Sequence, residues 1–173
     1  MKEQQFDDLL NIATVGEQAG FNKSYHYHRY EPTPYSALQH LFSRYPLQSS
    51  DHIVDFGCGK GRLNFFIHHL FKATVTGVEM NELYYEQALE NRERYCRKVK
   101  GRTEQISFQC CLAEDYKITP QDNVFYFFNP FSVQIFMKIV SRILLSHEQH
   151  PRDVELVFYY ISDEYVYYLE HQT

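Results

Sequence analysis

Apolar residues in this chain recur with two periods that take turns. Tyr35, Leu38, Leu41, Phe42 and Tyr45 fall at helical spacing and predict a helix with one buried face. His52 to Phe56 reads as a buried strand, and Leu63, Phe66, Ile67, Leu70 and Phe71 return to a helical stripe. Ala73 to Val78 is rich in strand formers. Glu82 to Lys98 is a charged amphipathic helix carrying Leu83, Tyr84, Ala88 and Tyr95. Ile106 to Cys110 and Val124 to Phe128 predict a third and a fourth strand. Ser132 begins a helix whose apolar face is Phe136, Ile139, Val140, Ile143 and Leu144. Val154 to Ile161 predicts a fifth strand, after which Ser162 caps a last helical turn or two.

Strands and helices that alternate in this way build βαβ units with right-handed crossovers. The expected fold class is α/β, a doubly wound, Rossmann-like and mostly parallel sheet. Ahead of it, Met1 to Lys23 is polar apart from Leu9, Leu10 and Ile12, which suits a short helix or loose arm. The pair Pro32 and Pro34 interrupts regular structure, with Pro34 fit for an early helix position and Thr33 for its cap. The expected division is an N-terminal arm or lid over 1–33 and a single domain over 34–173.

Composition narrows the class. At 173 residues the chain suits one core. A net charge of −5 gives no general pull toward nucleic acid or an anionic membrane. Aromatic residues make up 17% of the chain, which favours a substantial sheet. Cys58, Cys96, Cys110 and Cys111 form no CxxC pair, so neither a disulfide framework nor a zinc site is suggested. No apolar run approaches the roughly 20 residues of a membrane span, and the N-terminus lacks a secretory pattern. A reduced, cytoplasmic setting is expected.

The chemistry concentrates in Asp55-Phe56-Gly57-Cys58-Gly59-Lys60-Gly61-Arg62, at the carboxyl end of the first strand, where open α/β sheets bind ligands. Glycines let a backbone approach a ligand closely, and the following helix aims its free N–H groups at the same place. Glu79 ends the second strand about 20 residues later, the usual place for an acid that grips ribose hydroxyls. Together these features point to an adenosine-containing cofactor. A nicotinamide fingerprint would need glycine where Arg62 stands, and Asp55 would repel a pyrophosphate. The same acid would help hold an ammonium group.

At these residues the chain resembles the class I S-adenosylmethionine-dependent methyltransferases, in motif order from about Pro34 to Ile161. The resemblance implies that Asp55, Gly57 and Gly59 line the methionine part of S-adenosylmethionine, with Cys58 and Gly61 also in the cofactor site, that Glu79 binds its ribose, and that Met80 packs on the adenine. After strand three the family often carries an acid or amide toward the adenine amino group. Here Leu112 stands at that position, so the contact passes to the backbone of Leu112 and Ala113, with Glu114 as a substitute or as an exposed loop acid. S-adenosylhomocysteine would be the product.

Strand four ends in Phe128-Asn129-Pro130-Phe131-Ser132. This resembles the Asn-Pro-Pro-Tyr element of methyltransferases that act on nitrogen, with one proline absent. On that reading Asn129 orients the acceptor, Pro130 shapes the pocket and Phe131 packs on the substrate. A strand end with a proline turn and a buried Phe is the alternative.

Other signals carry less. Tyr27, Tyr30, Thr33 and Tyr35 stand where the family often has a lid, or else pack in the core. His26 and His28 lack a third ligand, so no metal is expected. Arg92, Arg94, Arg97, Lys98, Lys100 and Arg102 could contact nucleic-acid phosphates, but interleaved acids favour a solvated helix face. The family usually continues to an antiparallel strand pair that this chain lacks, so one sheet edge is expected to be open and prone to self-association. The functional expectation is methyl transfer to an unknown acceptor: protein, nucleic acid or small molecule. A cofactor-binding module without turnover is the rival, and a nicotinamide-dependent oxidoreductase is disfavoured by Asp55 and Arg62.

Overall fold

The computed structural model describes residues 3–16, 31–99 and 103–173. Tyr27, Tyr30, His26, His28, Lys100 and Arg102 lie outside the described residues. The elements run α1 (Glu3–Leu10), α2 (Tyr35–Arg44), β1 (His52–Phe56), α3 (Arg62–Phe71), β2 (Thr74–Glu79), α4 (Glu82–Lys98), β3 (Ile106–Cys110), β4 (Val124–Phe127), α5 (Val133–Gln149), β5 (Glu155–Phe158) and α6 (Asp163–His171). The strands pair in the order β3-β2-β1-β4-β5, every pair parallel. The expected α/β, doubly wound architecture is therefore the observed one.

Alternation along the strands sends side chains to two cores. Ile53, Val75, Ile106, Phe108, Val124 and Tyr126 meet α1, α2, α3 and α4 on one face. Val54, Phe56, Val78, Phe125 and Phe127 meet α5 and α6 on the other. Strand order reverses between β1 and β4, so the chain leaves neighbouring strands toward opposite faces and a crevice opens outside their carboxyl ends. Helices α3, α4 and α5 bury most of the stripes foreseen in the sequence, but Leu70, Leu83 and Leu144, expected on those faces, are exposed. Among the described residues no helix is long and apolar enough to cross a membrane.

Boundaries differ where the backbone turns left-handed. Asn129 has φ 39° and Tyr160 φ 54°, so β4 and β5 stop earlier than their side-chain composition suggests. The last helix is longer than a turn or two, because Tyr165 and Tyr168 bury against α5 and Phe136 stacks on Tyr165 with ring centroids 3.8 Å apart. Ser162 does cap it, accepting from the Tyr165 amide at 3.3 Å. Thr33 does not cap α2. Its hydroxyl pairs with the Tyr126 hydroxyl at 3.0 Å, while Glu3 of α1 accepts from the Tyr35 amide at 3.0 Å and so serves the α2 N-terminus from a distant segment.

Cys58, in the loop after β1, and Phe108 of β3 leave no room for a side chain at Gly77. A Cβ there would stand 2.6 Å from Cys58 Sγ and 2.7 Å from Phe108 Cδ1. Gly77→Ala is expected to lower stability by about 1–3 kcal/mol through overpacking, read as a lower urea midpoint with an unchanged m-value. An unchanged midpoint would show that Phe108 yields freely.

Candidate functional site

Parallel pairing brings the ends of β1, β2 and β3 to one edge, with Asp55 beside Gly77 and Glu79 beside Cys110. Past Phe56 the chain turns across the end of β2: the amides of Gly57 and Cys58 both donate to the Val78 carbonyl, at 2.9 and 3.1 Å. Gly61 then caps α3 in the left-handed conformation, φ 83°, with Phe108 and Phe65 within 3 Å of where a Cβ would sit. Glu79 is buried and binds the loop directly. One oxygen accepts from the Gly59 amide at 2.9 Å, and the other from Asn81 at 2.8 Å.

Asp55 is 4% exposed and lies behind the loop. With the Asn64 amide oriented to satisfy both its ends, Asn64 donates to Asp55 and accepts from the Gly77 amide, each at 3.1 Å. Met80 and Leu112 present exposed side chains on the same edge, and Ala113, buried, begins a short 3₁₀ turn after β3. The predicted cofactor residues from Asp55 to Ala113 thus converge along the ends of three adjacent strands.

Across the switch point the Asn129 turn meets the loop. A Cβ on Gly57, φ 79°, would stand 2.9 Å from Pro130 Cβ, so only glycine lets the two turns touch. Phe131 parts company with its neighbours. It is 1% exposed, packs edge-on against Phe127, and its carbonyl accepts from the Tyr165 hydroxyl. In this conformation it is a wall behind the turn and presents no face to the crevice. Phe128 and Tyr159 instead stand at the strand ends, rings 4.7 Å apart, with Tyr160 73% exposed beside them.

Comparison with known proteins fits this geometry. A family profile described as "Methyltransferase domain" matches residues 35–156. The chain belongs to this methyltransferase domain family. Over 88 residues the domain is 33% identical to a probable fatty acid methyltransferase of Pseudomonas putida, a match covering 51% of this chain and 20% of that protein. Two solved structures align with a TM-score of 0.56. One is a methyltransferase from Geobacter sulfurreducens bound to S-adenosylhomocysteine, at 20% identity over 73% of this chain and 48% of that one. The other, from Thiobacillus denitrificans with the same ligand, aligns at 18% identity over 71% and 47%. These likenesses show the fold. The domain spans about half the length of those structures and 20% of the curated relative.

Electrostatics sets what the methyltransferase domain can hold there. Burial pushes the Asp55 carboxyl up to about 8, and the nearby Glu79 charge adds to the rise. Burial also raises Glu79, against the pull of the Asn81, Gly59 and Met80 amides. Two buried acids side by side favour a cationic ligand and oppose a phosphate. Sequence reasoning missed Asn64 and Asn91. Both are polar residues on helix faces that the structure buries, and helical periodicity alone gives no sign of what they meet.

Asp55 makes stability depend on pH in a defined direction. The unfolded chain ionises near the ordinary aspartate value of about 4, whereas the folded protein keeps the proton up to about 8. The contribution is complete below about pH 4 and is lost as pH rises toward about 8. Urea denaturation between those values is expected to show falling stability for the wild type and a flatter profile for Asp55→Asn. Parallel profiles would mean that Asp55 is already ionised when folded.

Proposed function

We propose that this domain binds S-adenosylmethionine at the glycine loop and transfers its methyl group to a nitrogen acceptor. The observation that carries this reading is the pair of buried carboxylates, Asp55 and Glu79, around a glycine loop at the switch point of a methyltransferase fold. The residues fit the cofactor. Glu79 already meets the Gly59, Asn81 and Met80 amides, and a carboxylate offers about four acceptor sites, so capacity remains for a ribose hydroxyl. Asp55 matches an ammonium group, and Gly57 and Gly59 give a backbone surface without side chains. Met80, Leu112 and Ala113 supply the apolar edge suited to an adenine ring.

Bound there, S-adenosylmethionine supplies an electrophilic methyl group on a sulfonium. The protein's part is then chiefly positioning. Asn129, held left-handed at the end of β4 and adjoining Pro130 against Gly57, is suited to accept hydrogens from an amino group and point its lone pair into the crevice. Pro130 shapes the passage between acceptor and cofactor, and Phe131 braces the turn from within the core.

Calorimetry tests the cofactor. S-adenosylhomocysteine is expected to bind and NAD not to bind, with Asp55→Ala weakening the former about 10- to 100-fold through loss of a charge-assisted contact. Because an ammonium beside Asp55 favours the carboxylate, binding below pH 8 should release up to about one proton, seen as a dependence of enthalpy on buffer ionisation. Preference for NAD, or binding indifferent to Asp55, would remove the reading.

Asn129→Ala tests the acceptor role. Affinity for S-adenosylhomocysteine should stay, while transfer falls on the order of a hundredfold. Products methylated only on oxygen or carbon would exclude nitrogen as the acceptor atom.

A further inference from the structure

Arg62 and Asn91 play no part in the proposed chemistry, yet each is buried, and each joins the glycine loop to the N-terminal segment. Asn91, 2% exposed on α4, accepts from the Ala13 amide at 2.8 Å and donates to the Ala13 carbonyl at 3.2 Å. The same side-chain nitrogen donates to the carbonyl of Lys60, inside the glycine loop, at 3.0 Å. One amide thus clasps the loop and a segment nearly 80 positions away.

Arg62 follows Gly61 as the first residue of α3 and is 4% exposed. Its Nε donates to the Thr14 hydroxyl at 2.7 Å, and Nη1 donates to the Thr33 carbonyl at 3.2 Å and to Glu3. Its guanidinium lies over the Tyr35 ring, 4.5 Å from the centroid. A guanidinium so deep must be partnered, and these partners come from outside the α/β sheet and its helices α3 to α6.

The partners are themselves held. Asp7, fully buried, accepts from the amides of Thr14 and Val15, from the Thr14 hydroxyl at 2.8 Å and from the Tyr35 hydroxyl at 2.7 Å. Burial and the adjacent Asp7 raise the Tyr35 phenol, which keeps its proton and remains the donor. Phe6 stacks on Tyr35 with centroids 4.5 Å apart, seating α1 against the same ring.

We propose that Arg62 and Asn91 are positioning residues for the cofactor site, through which residues 3–16 hold the glycine loop in its binding conformation. The proposal rests on the reading of that loop as the cofactor site. Its content is thermodynamic: the order of Ala13 and Thr14 and the affinity of the loop are one coupled quantity, so each must strengthen the other by the same factor. A purely structural network would stabilise the fold without passing through Lys60 and the exit of Gly61, and would leave affinity alone as long as the protein was folded.

The test measures both directions. In the wild type, S-adenosylhomocysteine should slow hydrogen exchange of the Ala13 and Thr14 amides, neither of which belongs to the glycine loop. By calorimetry well below the unfolding temperature, Asn91→Ala and Arg62→Met should each weaken S-adenosylhomocysteine on the order of tenfold, the usual scale of such coupling. Arg62→Lys should fall between, since an ammonium keeps the charge but loses the fork. Ile143→Ala, in the core on the opposite face, serves as a destabilised control and should keep wild-type affinity. If Arg62→Met does not fold, Asn91→Ala and the exchange measurement decide. Wild-type affinity in Asn91→Ala, or unchanged exchange at Ala13 and Thr14, overturns the proposal. Failure of the wild type to bind at all overturns the cofactor reading, and this proposal with it.

Discussion

Burying a charged carboxylate costs several kcal/mol unless something compensates, and this fold buries two carboxyl groups within one loop's reach of each other. Asp55 and Glu79 end adjacent strands, so parallel pairing alone brings them together. The surroundings divide the compensation. Glu79 receives backbone amides from Gly59 and Asn81, while Asp55 has the Asn64 amide and retains its proton. The glycine loop is held by its own amides, Gly59 on Glu79 and Gly57 and Cys58 on the Val78 carbonyl. Removing Glu79 would leave the Gly59 amide without its partner, and moving the loop would cost Glu79 one of its donors.

The rest of the molecule surrounds that arrangement. The reversal of strand order puts β4 next to β1, and contact of Pro130 with Gly57 joins the two turns across the crevice. Aromatic packing behind β4, from Phe127 through Phe136 to Tyr165, supports the Asn129 turn from one side. Arg62 and Asn91 support the glycine loop from the other. Packing on both faces suits the proposed role of the site, which is positioning, where small displacements cost large factors in rate.

Much of this was legible in the chain. Helical and strand periods marked the order of elements, and from that order followed a parallel sheet, because βαβ crossovers admit few other solutions. The spacing of Asp55, the glycines and Glu79 predicted that they share one edge of the sheet, as they do, since strand ends are local and their adjacency follows from topology. Boundaries at Asn129 and Tyr160 were not legible, because a left-handed turn depends on what lies beyond the strand. Thr33 looked like a cap by residue type, but the cap came from Glu3, in another segment.

The sequence by itself determined the fold class and the placement of the glycine turn, Asp55 and Glu79 at neighbouring strand ends beside the switch point. Each depends on neighbours along the chain or on a pairing rule with one outcome. Tertiary structure alone decided that Phe131 turns inward, that Asp55 meets Asn64, and that Arg62 and Asn91 bind the first residues of the chain to the glycine loop. The physical reason is the same in each case. A buried polar group must find a partner in space, and an aromatic ring must find a cavity, and neither search is confined to the near sequence.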